Sequence, residues 1–301
     1  MATAATLIQQ TLRRLQPGGQ TQVLQVSGSY TAGGSTLTVT DPSGVILPNA
    51  QPGQVIAIDL ELFLILSVSG STLGVSPGYF GSSEANHSNA TLIYLNPRFS
   101  QFDVLSAIND DLQDLCSPEN GLYNPQAIEI TYNPSQRGYD LAGVTGAGAV
   151  ISLQQKVPYP VGDWQPFSRK DWTFTPTSDT TDFPSGYALR LNRGGYPGMP
   201  IRVTYKAFFS PFVNLADDAT TVAGLMDTMY DLPPLGAAVA LVAPREVKRN
   251  QLDTADDTRR ATEVPPGAVM TSVREVQNLR QRRINAENAR LGQLYGAQMN
   301  R

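Results

Sequence analysis

The sequence predicts an α+β protein: a discontinuous helical bundle with two inserted all-β modules, each a small barrel or sandwich, and a long C-terminal helix. Three observations carry this. Apolar residues recur at helical spacing in three separated places, within residues 4–16, 100–115 and 217–294. Between these places the period drops to two, and Gly, Pro, Asn, Asp and Ser close each short run. Neither of the first two helices has a local partner for its apolar face, so both must pack on later elements. The chain therefore reads as an N-terminal bundle helix (1–20), a first β module (21–96), a bundle helix (97–121), a second β-sandwich module (122–213) and the C-terminal helices (214–301).

Composition fits this reading. At 301 residues the chain is long enough for two or three folded units. Only 16% of residues are charged, while 26 Gly and 22 Pro favour short strands and many turns. The net charge of −4 is uneven, because residues 241–301 carry +4 and the remainder −8. An acidic bulk argues against a general nucleic-acid binder, which needs a basic face. A single cysteine, Cys116, excludes an internal disulfide and a Cys-rich metal site. No apolar run is long enough to span a membrane, and residues 1–17 lack a signal peptide's apolar core and cleavage site.

Taken in order, Leu7, Ile8, Leu12 and Leu15 share one side of a short helix over Ala4–Gln16, which Pro17-Gly18-Gly19 ends. From Val23 to Leu95 the alternation predicts strands, among them Thr36–Thr40, Val55–Ile58, Leu62–Val68, Leu73–Val75 and Thr91–Leu95. Asn96-Pro97 breaks the pattern. Ser100, with Asp103 three residues later, then caps a helix whose apolar side is Phe102, Leu105, Ile108, Leu112 and Leu115. Asp103, Asp110, Asp111 and Asp114 make much of its remaining surface acidic, which on composition alone is a solvated face.

Strands return at Ala127–Tyr132, Ala149–Leu153, Trp172–Thr175, Tyr187–Leu191 and Ile201–Phe208. The aromatic cluster Trp164, Phe167, Trp172 and Phe174 reads first as core. Three helices follow. One is expected over Asp217–Tyr230, with Val222, Leu225, Met226 and Met229 on one face. The next starts at Pro233-Pro234 and should end or kink at Pro244. After the polar stretch Asn250–Glu263 and Val264-Pro265-Pro266-Gly267 comes a last helix of about seven turns. Val269, Val273, Val276, Leu279, Ile284, Leu291 and Leu294 form its narrow seam, opposed by Arg274, Arg280, Arg282, Arg283 and Arg290.

No constellation for chemistry emerges. The one histidine, His87, lies in a turn-rich loop without the signature of a Ser or Cys partner, so it reads as a hydrogen-bonding residue. Gly146-Ala147-Gly148 lacks a third glycine at the right offset, and no Walker lysine follows a glycine loop. Asp253, Asp256 and Asp257 lack the remaining features of a calcium loop. The expectation is a protein without catalytic residues, metal or cofactor.

Two stretches carry a resemblance. Gly53–Asp59, Leu64–Leu73 and Gly78-Tyr79-Phe80-Gly81 through His87, running into Asn96-Pro97-Arg98-Phe99-Ser100, resemble a module of tailed-bacteriophage structural proteins. Pro77 and Ser82 depart from that pattern, in which a basic residue and Thr are usual. Asp231–Ala238, Ala243–Arg249, Val264–Ala268 and the Arg-rich last helix look like the helical part of head-to-tail adaptor (connector, neck) proteins. The second β module is the poorest match.

The resemblance implies a structural virion protein at the capsid–tail junction, assembled in the host cytoplasm. It would form a homo-oligomeric, dodecameric ring under the portal protein and offer a platform to downstream tail or tail-completion proteins. Double-stranded DNA would pass through without specific binding, and no membrane is involved. The portal-docking residues would be Arg274, Arg280, Arg282, Arg283, Ile284, Leu291, Leu294 and Tyr295 on the last helix. Asp103, Asp110, Asp111 and Asp114 would face the channel, where carboxylates avoid holding phosphates. The alternative is a tail or baseplate component whose second β module binds a fibre or a host glycan. A glycan-processing enzyme, which would need two converging carboxylates, ranks third.

Overall fold

The computed structural model describes residues 2–15, 22–142, 144, 147–158, 163–253 and 268–299. Among them are four α-helices, a closed six-stranded barrel and two further sheets. The expected Pro17-Gly18-Gly19 stop, most of the Gly146 loop, Asp256, Asp257 and the Val264–Gly267 helix start lie outside the described residues. The chain divides into two compact units: Met1–Asp111 with Pro211–Ala223 and Tyr230–Arg280, and Leu112–Ser210 with Gly224–Met229 and Gln281–Arg301.

In the first unit, helix α1 (Ala4–Leu15) buries Ala4, Leu7, Ile8 and Thr11. Thr11 is tolerated there because its hydroxyl donates to the Leu7 carbonyl at 2.9 Å, so no polar atom is stranded. The helix start is tied by Ala4 N–H to Asp217 O and Ala5 N–H to Leu215 O. As its length demands, α1 packs on another helix, α3 (Leu232–Asp253). Pro233 and Pro234 sit in the first turn of α3, where missing N–H groups leave no bond unmade. The helix does not end at Pro244 but runs on to Asp253. A helical proline forfeits one backbone hydrogen bond, and this helix tolerates the loss.

The barrel consists of β1 (Gln22–Val26), β2 (Thr36–Thr40), β3 (Val55–Ile58), β4 (Glu61–Ser69), β5 (Thr72–Ser76) and β6 (Leu92–Leu95). All pairings are antiparallel, in the order β1-β2-β5-β4-β3-β6, and β6 closes back on β1. Alternation puts Leu24, Leu37, Val39, Ile56, Ile58, Phe63, Ile65, Leu73 and Ile93 inside. The apolar run in β4 does not stay inside. Next to inward-facing Ile65, alternation turns Leu66 outward, 57% exposed, and the pairing with β5 shifts register between Ile65 and Ser67.

Helix α2 (Gln101–Leu115) starts with the expected box: Ser100 Oγ accepts from Asp103 N–H at 3.0 Å and donates to Asp103 Oδ2 at 2.7 Å. Asn109 pairs both amide atoms with the backbone of Phe212, at 2.9 Å each, which fixes the segment leading to α3.

The second unit holds β7 (Asn124–Thr131), β8 (Gly138–Asp140), β9 (Ala147–Lys156), β10 (Trp164–Pro166), β11 (Trp172–Thr175), β12 (Ala188–Leu191) and β13 (Pro200–Ala207). They form a four-stranded sheet, β10-β9-β13-β7, and a three-stranded sheet, β11-β12-β8. One core joins residues of both, including Val150, Leu153, Ile201 and Val203 from the first and Tyr139, Trp172, Leu189 and Leu191 from the second. The Cys116 thiol is partly buried and accepts the Phe209 N–H, and burial pushes its pKa up.

The helix expected over Asp217–Tyr230 does not form. Turns and a single 3₁₀ turn at Asp227–Met229 stand there instead. Asp218 turns the chain back by accepting the N–H groups of Thr220 and Thr221, and Gly224 adopts φ 77, which an α-helix excludes. The last helix, α4 (Ala268–Met299), is instead longer than expected, about nine turns.

Candidate docking surfaces

The residues expected to dock and those expected to face a channel prove to be partly each other's partners. In the first unit Arg280 Nη2 meets Asp111 Oδ1 at 2.6 Å, with both side chains largely buried. Gly236 of α3 lies against the same carboxylate, and a Cβ there would overlap it. A carboxylate held this way, in low dielectric and against a backbone, is a structural ion pair. Asp111 is therefore not on an open face and Arg280 is not an outward cation. The cause is packing: Asp111 lies on the side of α2 that carries Ile108, Leu112 and Leu115.

In the second unit, α4 is anchored by Ile284 and Leu291, both fully buried, and by Glu287, 4% exposed. Glu287 takes Arg290 Nε at 2.7 Å and the Thr228 hydroxyl at 3.0 Å, with Arg283 Nη2 at 3.5 Å. Arg283 also donates to the Thr228 carbonyl at 2.7 Å, and Asn288 donates to the Asn120 carbonyl at 2.6 Å. Ile284, Leu291 and Arg283 thus hold the helix to its own chain and are not available to a partner. Tyr295 is half-buried. Arg274, Leu279, Arg282 and Leu294 are exposed. Helical spacing puts Leu279 and Arg282 on the side away from Ile284 and Leu291, and Arg274 on the flank.

On α2, Asp103, Asp110 and Asp114 are exposed and, at spacings of seven and four, form one stripe. Two are also used locally: Asp103 in the cap, and Asp114 as acceptor of the Asn120 amide at 2.9 Å.

A further site had only a partial signal in the sequence. The turn Gly78-Tyr79-Phe80-Gly81 holds three left-handed residues, Gly78 (φ 63), Phe80 (φ 53) and Gly81 (φ 80). For an aromatic residue that conformation is unfavourable and must be imposed by its surroundings. Ser82 Oγ accepts the Leu62 N–H at 2.9 Å and donates to Tyr79 O at 3.0 Å. Glu61, 1% exposed, accepts Ala85 N–H at 2.9 Å and Gly78 N–H at 3.4 Å. His87 Nε2 lies 2.9 Å from Glu61 Oε2, and its Nδ1 lies 3.4 Å from Asp59 Oδ2. Tyr30 stacks on the imidazole, Phe63 meets it edge-on, and the Tyr30 and His87 backbones pair.

Burial works against the imidazolium, but the hydrogen bond to Glu61 and the adjacent Asp59 and Glu61 carboxylates outweigh it and raise the His87 pKa above 6.5. His87 is sealed, so it buttresses the loop rather than meeting a substrate. The signal for Glu61 was there to be read: it is one of two acids, with Asp59, within the otherwise apolar Ile58–Phe63. Its partner lies 26 positions away, where only barrel closure reveals it.

Of the aromatic cluster, Trp172 is buried and Phe174 stacks on Tyr187, whereas half-buried Trp164 lies under the Arg202 guanidinium at 4.1 Å. Among the described residues no group of His, Cys, Asp and Glu could hold a metal ion, and no helix is long and apolar enough to cross a membrane. Compared with protein-family models and with curated proteins, the chain finds no match in either.

Proposed function

We propose that this chain is a non-enzymatic virion protein, a head-to-tail adaptor that forms a ring under the portal, extends the DNA channel and connects the capsid to the tail. The resemblance of the Gly78–His87 and Asp231–Arg249 stretches to such proteins supplies the class. In this reading the four helices form the discontinuous bundle into which barrel and sandwich are inserted. The observation that carries it is the division of labour on α4. Ile284, Glu287 and Leu291 anchor the helix, leaving Leu279 and Arg282 in solvent on its far side and Arg274 in solvent on its flank. Exposed guanidinium groups beside an apolar residue suit a carboxylate-bearing protein surface, where bidentate pairs rim an apolar contact. Docking then rests on Arg274, Arg282 and the exposed Leu294. Ile284, Leu291, Arg280 and Arg283 serve the helix's own anchorage.

The tail or baseplate alternative needs a solvent-facing aromatic platform on the sandwich. Its aromatics are mostly spent inside or against Arg202.

Removing α4 would open a core, so the test is by surface charge reversal. Arg274→Glu with Arg282→Glu should abolish co-sedimentation with purified portal rings while leaving the far-UV spectrum and Tm unchanged. Portal binding unaffected by the double variant would place docking elsewhere, and no binding by the parent chain would move the reading to the tail.

A further inference from the structure

The Phe80 turn and a cavity on the same unit are complementary. The cavity, of ≈ 240 Å³, lies among α1, β3, β6 and the approach to α2. Leu12, Ala57, Tyr94, Pro97 and Phe99 line it, with Arg13 among its polar residues. Such a volume takes an aromatic ring, since a cavity of about 150 Å³ already admits benzene. Phe80 is not part of that lining. It stands at the tip of its turn, 75% exposed, the most exposed large apolar residue among those described. Tyr79 backs it, with ring centroids 4.3 Å apart.

The fold commits a buried Glu61–His87 pair to bracing a turn whose left-handed aromatic residue stands in water. Such an arrangement belongs to a presented contact. Charge narrows the occupant. Exposed Glu84 lies against Gly78 at the base of the knob. The cavity has Arg13 in its lining and Arg98 stacked on Phe99 at 5.6 Å. An acidic-flanked aromatic knob and a cation-flanked hole of mixed polarity, on different parts of one unit, complement each other between copies.

We infer that Phe80 of one copy inserts into the Leu12–Phe99 cavity of the next, with Glu84 facing Arg13, as the contact by which this chain self-associates. Knob and hole are different surfaces, so the contact repeats head to tail, and a closing rotation gives a ring. For the ring, as opposed to an open chain, the inference rests on the adaptor reading; the contact itself does not.

The test uses the full chain, free over a range of concentrations and assembled on portal rings, with self-association read by sedimentation velocity and native mass spectrometry. Phe80→Ser on the exposed tip should weaken association on the order of ten- to a hundredfold, the loss of one buried aromatic side chain. Filling the hole with Gln9→Trp should do the same. Mixing these two variants leaves one competent knob and one competent hole, and should give dimers that grow no further. Arg13→Glu and Glu84→Lys should each weaken association, and together restore it, which a purely structural role for either residue would not produce.

Association unchanged by Phe80→Ser, failure of the charge swap to rescue, or a parent chain that never self-associates would each overturn the inference. Rings on the portal that ignore Phe80→Ser would overturn this contact and leave the adaptor reading intact. Knob-dependent assembly without portal binding would do the reverse.

Discussion

At Gly236 the α3 backbone comes so close to the Asp111 carboxylate that a methyl group would overlap it. Elsewhere in a helix, Ala in place of Gly stabilises by about 0.5–1 kcal/mol. Here Gly236→Ala must separate Asp111 from Arg280, and breaking a buried ion pair costs ~3–5 kcal/mol. The second effect wins. Urea denaturation should show a loss of about 3 kcal/mol, and a variant as stable as the parent would mean that the pair is not held as described.

His87 gives a residue-scale prediction with a sign. Its folded pKa lies above 6.5, raised against burial by Asp59 and Glu61, while Tyr30 and Phe63 cover its faces. A raised folded-state pKa contributes stability that is fully present below pH 6.5 and is lost as pH rises through the folded value. The barrel should therefore weaken on passing from pH 6 to mildly alkaline conditions. The His87 imidazole NMR shift should titrate above 6.5, and Glu61→Gln should lower that midpoint. A midpoint at or below 6.5 in the parent would contradict the buried pairing.

At the scale of elements, α4 shows how anchorage and display share one helix. Leu291 is 1% exposed, so Leu291→Ala should cost ~2–4 kcal/mol in chemical denaturation. A change under half a kcal/mol, the range of ordinary surface substitutions, would show the helix end undocked. Local pattern explains what could be read in advance. The stretch Thr36–Thr40 alternates without exception and Trp172–Thr175 is bounded by turn residues, and both strands fall where expected. The three-residue strands β8 and β10 carry too few side chains for a period, so pairing alone defines them. Residues 222–229 imitate a helical period, yet the Asp218 turn and Gly224 override it. The site was less legible than the fold. An arginine on α4 gives no sign that its partner is Asp111, and Glu61 gives none that His87 returns to it. Both pairings depend on chain closure over long separations.

At the scale of the whole molecule, the adaptor reading assigns the exposed stripe of Asp103, Asp110 and Asp114 to the channel or its mouth, where cations would hold phosphates and release counterions. Replacing all three with Lys in assembled virions should slow genome packaging or ejection, most strongly at low salt, as single-particle release assays would measure. Unchanged ejection kinetics and DNA retention would remove the stripe from the channel. Electron microscopy of the purified chain mixed with portal rings decides the adaptor reading. The expected result is a coaxial ring that lengthens the portal channel. A chain that leaves the portal bare at every concentration would contradict it.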